Sequence, residues 1–295
     1  MLSIITVNFN NAAATCRLVH SLESQTDHDF EVVIVDNASE ADDRAILGEA
    51  IACSALNAQI YWSDVNGGFA AGTNLGIRLA LSHGAQWIAL INNDALASPD
   101  AIAMLKGSLT RMEPAVVALP LLERGRTVRA GIVRWLSTTL PHAFEVPPPD
   151  ARIYAVGGGM AFHRDVHGRL GPLDERYFLY FEDADYSERA RKAGIPVVIA
   201  DISALSHEVS ATTSRLGSPL LLRYHMRNAL LFNAIHGPWW VRIALPGWSI
   251  FSMVKQLIKI AFLPSRRPQS HAIAAGILDF YAHRFGHITD RRHRV

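Results

Sequence analysis

Ile4-Ile5-Thr6-Val7, followed by Asn8-Phe9-Asn10-Asn11 and then by Ala12 to Ser24, decides the fold of this chain. The first run is apolar and β-branched, the second is loop-forming and the third carries helical periodicity, so the segment reads as strand, turn, helix. The unit recurs. Glu31 to Val35 precedes a helix from Ala41 to Ser54, Gln59 to Trp62 precedes one from Phe69 to His83, and a fourth strand, Trp87 to Ile91, ends at Asn92. Apolar strands alternating with helices predict an α/β fold, Rossmann-like, whose mainly parallel sheet carries helices on both faces. Ligands of such sheets sit at the carboxyl ends of the strands, so polar residues there are candidates by position as well as by type.

Further along, Pro147-Pro148-Pro149 is a stiff connector that continues neither a helix nor a central strand. It separates a nucleotide-type half, residues 1–146, from a second half, residues 150–217, which opens with Gly157-Gly158-Gly159, holds Glu182, Asp183 and Asp185, and reaches His207. Together they form an expected domain of residues 1–217. Residues 218–295 form a C-terminal region, helical in pattern from Pro219 onward, with Trp239, Trp240, Trp248, Phe251 and Phe262 in one apolar stretch. Pro246-Gly247 interrupts that stretch, so a pair of helices, surface-lying or core-packed, is expected rather than a membrane span of about 20 apolar residues.

The formal net charge of +1 conceals an asymmetry. Residues 1–237 carry 19 Lys and Arg against 25 Asp and Glu, and residues 238–295 carry 9 against 2. The basic tail, with Arg266, Arg267, Arg284, Arg291, Arg292 and Arg294 beside tryptophans, fits an anionic membrane surface. No nucleic-acid motif accompanies it, and nucleic acid is not an expected partner. Cys16 and Cys53 form no Cys-x-x-Cys or Cys/His array, which suits a reducing compartment. Met1-Leu2-Ser3 runs straight into strand pattern without the form of a signal peptide, and a cytoplasmic location, peripheral on the inner membrane's cytoplasmic face, is expected.

Three strand-end segments carry chemistry. In Val32-Val33-Ile34-Val35-Asp36-Asn37 a carboxylate follows a buried strand, where it can accept hydrogen bonds from a base or ribose; a helix N-cap is the alternative. Asn92-Asn93-Asp94 offers a carboxylate and an amide that can hold a hard divalent cation, Mg²⁺ or Mn²⁺, against a diphosphate; a turn or cap remains open. Asn66-Gly67-Gly68-Phe69-Ala70-Ala71-Gly72-Thr73-Asn74-Leu75-Gly76 opens a helix with glycines that admit a ligand to the backbone, and Gly72 and Gly76 allow close packing on one face. The stretch is neither a Walker A loop nor a strict GxGxxG.

Taken together, Ser3 to Asn10, Val35 to Ser39, Asn66 to Gly76, Asn92 to Asp94 and Phe181-Glu182-Asp183-Ala184-Asp185-Tyr186 with Arg189 to Gly194 resemble the successive motifs of family 2 glycosyltransferases, in order, over residues 3–210. The rhamnosyltransferase-like branch is the most similar, and galactofuranosyltransferases share features. The resemblance implies a GT-A fold and inverting transfer of rhamnose or a similar sugar from a dTDP- or UDP-sugar to a glycan or lipid-linked acceptor. It implies that Val7, Asn8 and Asp36 hold the nucleotide, that Asn66, Gly67, Gly68, Asn74 and Asn93 belong to the donor side, and that Gly158, Gly159 and Glu182 belong to the acceptor side. Asp183 would be the general base, and Asp94 and His207 the ligands of a divalent cation. The DXD-type motif reads Asn92-Asn93-Asp94 here and lacks its first carboxylate. Gly157 to Gly159 could equally be a bulged strand, the acidic cluster a stabilised helix start, and Arg227-Asn228 either a group near the diphosphate or a structural pair. Two competing functions stay open: a non-catalytic nucleotide-sugar-binding relative, and a nucleotidyltransferase, against which Asn8 to Thr15 lacks a basic glycine-rich phosphate loop.

Overall fold

The computed structural model describes residues 1–202, 205–207 and 218–288. Its main sheet contains β1 (Leu2–Asn8), β2 (Phe30–Asn37), β3 (Ala58–Ser63) and β4 (Trp87–Ile91), together with β6 (Val116–Ala118), β12 (Gly159–His163) and β13 (Val197–Ile199). Their order is β13-β6-β12-β4-β1-β2-β3. The pairs β1–β2, β1–β4, β2–β3 and β6–β13 are parallel, whereas β12 runs antiparallel to both of its neighbours.

Alternation along these strands builds two cores, because successive side chains leave a strand on opposite faces. On one face Ile4, Ile34, Ile91 and Val117 meet Leu18 and Leu22 of α1 (Ala12–Glu23), Leu47 of α2 (Ala41–Ala52) and Leu105 of α4 (Ala101–Leu109). On the other, Ile5, Val35, Leu90 and Phe162 meet Ile77 of α3 (Gly68–Ser82), Val166 of α5 (Arg164–Leu170) and Tyr186 of α6 (Glu182–Lys192). Helices therefore cover both faces, as the strand-helix alternation predicts. Gly76 explains how close α3 lies: a Cβ there would stand 2.5 Å from the Ile5 side chain.

Short strands absent from the sequence reading form two further sheets. One sheet joins β5 (Ala95–Ala97), β14 (Leu205–His207), β7 (Leu121–Glu123) and β8 (Arg126–Val128); the other joins β10 (His142–Ala143), β9 (Ala130–Ile132) and β11 (Ile153–Tyr154). Runs of two or three residues carry no readable period.

The C-terminal region comprises α7 (Ser218–His236), α8 (Trp239–Phe262) and α9 (Arg267–Tyr281). A break at Pro246-Gly247 was the expectation, but α8 continues through both. Both residues lie on its exposed face, where a proline ring displaces no core packing. The α7 helix is tied to residues on both sides of Pro147-Pro148-Pro149. Asn233 accepts from the Leu136 backbone N–H at 2.8 Å, and Lys192 donates to the Ile235 carbonyl at 3.1 Å.

Candidate active site

A cavity of about 510 Å³ opens where β1, β2 and β4 end. Val7, Asn66, Gly68, Asn93, Asp94, Gly158, Glu182 and Asp183 all line it. Of the other described candidates, Asn8, Asp36, Gly67, Asn74 and Gly159 do not.

Asp36 is fully buried and saturated by its own chain. It accepts from Asn8 Nδ2 at 3.0 Å, from the Ser39 N–H at 3.1 Å and from Arg44 Nε at 2.8 Å. Asn8 carries the network onward: its Nδ2 donates to Asp43 at 2.8 Å, and its Oδ1 accepts from Thr15 at 2.8 Å and from Asn93 at 3.4 Å. This cluster pins the ends of β1 and β2 to the starts of α1 and α2. The next residue, Asn37, faces the other way and does line the cavity, bonding to the Asn66 side chain at 2.9 Å and the Gly68 carbonyl at 3.0 Å. Gly67 donates its N–H to Asn37 at 3.2 Å. Gly68 adopts φ +86°, and a Cβ there would collide with the Phe178 carbonyl, so glycine fits both the backbone conformation and the space. Asn74 is buried and spans Leu173, donating to its carbonyl at 2.9 Å and accepting from its N–H at 2.8 Å.

Opposite stands the start of α6. Phe178, Tyr180 and Phe181 all have positive φ, at 62°, 69° and 76°. Three non-glycine residues so placed are held only where surrounding contacts over-determine them. Those contacts come from α7. Asn228 Nδ2 lies 2.8 to 2.9 Å from the carbonyls of Tyr177, Leu179 and Tyr180, and Arg227 Nη2 donates to Tyr177 at 3.1 Å. Both side chains are fully buried and point into this loop. The two readings of the Arg227-Asn228 pair thus resolve toward a structural clamp. Burial lowers the Arg227 guanidinium to about 10.

The loop delivers Asp183 to the cavity wall, where Oδ2 accepts from the Gly157 N–H at 2.9 Å and Oδ1 from the Ala184 N–H at 2.7 Å. Burial pushes the Asp183 carboxyl up despite these hydrogen bonds. Glu182 is pushed up further, first by burial and then by the charge of Asp183. Among the described residues its Oε2 has no hydrogen-bond partner. Asp185, one residue beyond Ala184, behaves oppositely. Burial opposes its ionisation, yet the hydrogen bond from His236 Nε2 at 2.6 Å and the charge of Arg189 hold it below the ordinary carboxylate range. Gly158 explains how the strand start comes so near: a Cβ there would lie 2.5 Å from Asn92 Nδ2. Gly159 packs behind it against the Leu119 carbonyl, inside β12.

Asp94 and Glu123 line the same cavity beside Asn92. Their oxygens are the donor type that hard divalent cations prefer. The side chain of His207 lies outside what the structure describes. Its backbone is placed in β14, in register with Ala95 on one side and Glu123 on the other. Among the described residues no three His, Cys, Asp or Glu side chains converge on one point.

Sequence reasoning missed Glu123, Thr139, Leu140, His142, Tyr154 and His225, which also line the wall. His225 arrives from α7 and stacks on Tyr180 with centroids 4.2 Å apart and planes 14° apart. Burial lowers its imidazole to about 4, so the ring is neutral near pH 7. Only the clustering Phe178-Leu179-Tyr180-Phe181, immediately ahead of two acids, offered a signal.

Comparison with known proteins points one way. The model of Glycosyl transferase family 2 matches residues 3–171. An N-acetylglucosaminyl-diphospho-decaprenol L-rhamnosyltransferase of Mycobacterium tuberculosis is 22% identical over 269 residues, covering 81% of this chain and 86% of the relative. The low-salt glycan biosynthesis hexosyltransferase Agl10 of Haloferax volcanii is 24% identical, covering 78% and 74%. Among solved structures, S. aureus TarS 1-349 in complex with UDP-GlcNAc superposes with a TM-score of 0.57 at 14% identity, covering 96% of this chain and 92% of that one. The chain spans 44% of a longer TarS structure, with a TM-score of 0.56. At this identity the likeness shows the fold, which is GT-A.

Proposed function

The chain belongs to glycosyltransferase family 2, and we propose that it is an inverting enzyme that moves rhamnose or a similar sugar from a dTDP- or UDP-sugar to a glycan or lipid-linked acceptor of cell-surface polysaccharide. The observation that carries this reading is Asp183, held on the cavity wall by the Gly157 and Ala184 N–H groups with its carboxyl raised by burial. A carboxylate so placed takes the proton of an acceptor hydroxyl as that oxygen bonds to the anomeric carbon. The bond from that carbon to the diphosphate breaks, and its electron pair leaves with the nucleotide.

Asp94 and Glu123, with Asn92 beside them, would hold a divalent cation, Mg²⁺ or Mn²⁺, with water and donor phosphate completing its shell. The cation, when bound, neutralises charge developing on the departing diphosphate. Glu123 supplies a second carboxylate where the Asn92-Asn93-Asp94 motif lacks its first, which favours the enzyme over a non-catalytic relative. Val7, Asn37, Asn66 and Gly68 bound the donor side. Asn8, Asp36 and Asn74 act from behind the wall by fixing the strand ends and the loop around Leu173. His225, Tyr180 and Leu140 form a largely apolar acceptor side.

The test is release of nucleoside diphosphate from a panel of dTDP- and UDP-sugars with a lipid-linked saccharide acceptor, with and without Mn²⁺. One donor is expected to be consumed in an acceptor-dependent way. Asp94→Ala should weaken cation-dependent donor binding by about tenfold or more while donor binding without cation stays unchanged. Failure of every donor to bind or react would overturn the reading.

A further inference from the structure

Helix α8 turns Val241, Leu245, Ser249 and Gln256 inward. Its opposite face is apolar and bare. Ile243, Phe251 and Phe262 are 72%, 67% and 78% exposed, and Ile250, Val254 and Ile258 are exposed between them. Spacings of three, four and seven residues place these side chains on one stripe, about 28 Å long at 1.5 Å of rise per residue. Scattered exposed apolar residues need no explanation, whereas a continuous stripe marks an interaction surface. Cations frame it: Arg242, Lys255, Arg266 and Arg267 are all exposed. Asp279 is the sole Asp or Glu in the sequence between residues 238 and 288, and it is buried against Arg223 and Arg284. The fringe therefore carries one sign of charge.

We propose that this face docks on an anionic lipid bilayer, with α8 lying in the plane of the interface, its stripe at the acyl boundary and its cations among the headgroup phosphates. Among the described residues no helix is long and apolar enough to cross a membrane, so the helix lies on the bilayer rather than spanning it. Trp239 and Trp240, both exposed at the helix start, suit the headgroup level. A second copy of the chain is the competing occupant. Pairing the stripe with itself would bring two cationic fringes together with no exposed carboxylate among the described residues from 238 to 288 to neutralise them, and like charges across an interface oppose association. The same fringe is attracted to anionic lipid. This inference goes beyond sugar transfer and requires neither donor nor acceptor.

The experiment is sedimentation of the full chain with vesicles of phosphatidylcholine and phosphatidylglycerol, or of phosphatidylcholine alone. Binding to the anionic vesicles should be about tenfold or more tighter. Arg266→Gln with Arg267→Gln should weaken it by about fivefold for each cation removed. Phe251→Ser with Ile258→Ser should remove binding while leaving the melting temperature unchanged, because both side chains are exposed. Equal binding to both compositions, or binding that survives the double serine change, would overturn the proposal. A dimer in solution that the serine change dissolves, without vesicle binding, would assign the face to a second copy and overturn it equally.

Discussion

Two acidic clusters stand on opposite sides of this cavity, and their hydrogen bonding differs. Asp36 lies behind one wall with three donors from Asn8, Ser39 and Arg44. Glu182 and Asp183 lie in the other wall, raised by burial, with Glu182 Oε2 lacking a partner among the described residues. A carboxylate whose two oxygens are both engaged by donors of its own chain fixes shape. A buried carboxylate with spare capacity is costly to the fold and available for chemistry. The contrast recurs within α6 itself. Asp185 is satisfied by His236 and Arg189, and Asp183, two residues earlier, takes two backbone N–H groups and faces the cavity.

The largest expected effect tests the reactive side. Asp183→Asn keeps the size of the side chain and removes proton acceptance, so transfer should fall by a factor on the order of 10² to 10⁴ with donor binding retained. Because burial raises the Asp183 carboxyl, wild-type transfer should fall on acidification at a pH above the ordinary aspartate range, where the base becomes protonated. Transfer rates across pH for both proteins, beside donor titrations, provide the check. Near wild-type turnover in Asp183→Asn would remove the distinction between the clusters.

The next effect tests the saturated side. Asp36→Ala leaves Arg44 without its carboxylate partner and frees two further donors, so the protein should lose about 2 kcal/mol of stability in denaturant unfolding, the scale of leaving buried donors unsatisfied. Nucleotide affinity measured well below the melting temperature should change less. If UDP and dTDP affinity collapses while stability holds, Asp36 is a ligand and the comparison fails.

How much of this was legible in the sequence follows from what each signal reports. Val32 to Val35 announces a buried strand by composition, and a strand end in a parallel sheet locates the cavity. Val7, Asn66, Gly68, Asn93, Asp94 and Asp183, named from the sequence on that ground or by resemblance, all line it. Which neighbour at a strand end faces the ligand depends on partners distant in sequence. Arg44 and Asn8 claim Asp36 behind the wall, and Asn37, to which the sequence reading gave no role, lines the cavity with Asn66 and Gly68. Arg227-Asn228 could not be assigned from its spacing, since its role rests on the strained loop at Phe178 to Phe181, which no periodicity announces. His225 enters the cavity only because α7 packs across that loop.

The smallest effect has the opposite sign and sharpens the comparison most. Glu182→Gln keeps the shape of a buried side chain and removes its ionisation. The native Glu182 carboxyl is raised above its unfolded value, by burial and then by Asp183. The native state consequently binds more protons than the unfolded one above the ordinary glutamate range, and stability falls as pH rises from that range toward the raised value. Stability associated with the protonated group is fully present only below the unfolded value of 4.5. Glutamine escapes this loss. Glu182→Gln should therefore match wild type near pH 4 and be more stable at pH 7, by on the order of 1 kcal/mol, the scale of relieving one poorly satisfied buried polar group. Denaturant unfolding at both pH values gives the comparison. The Asp36→Asn change, in the saturated cluster, should show the reverse sign at pH 7, because it weakens hydrogen bonds to a fully partnered carboxylate. If both substitutions destabilise equally at neutral pH, Glu182 is as well satisfied as Asp36 and the two walls do not differ in kind.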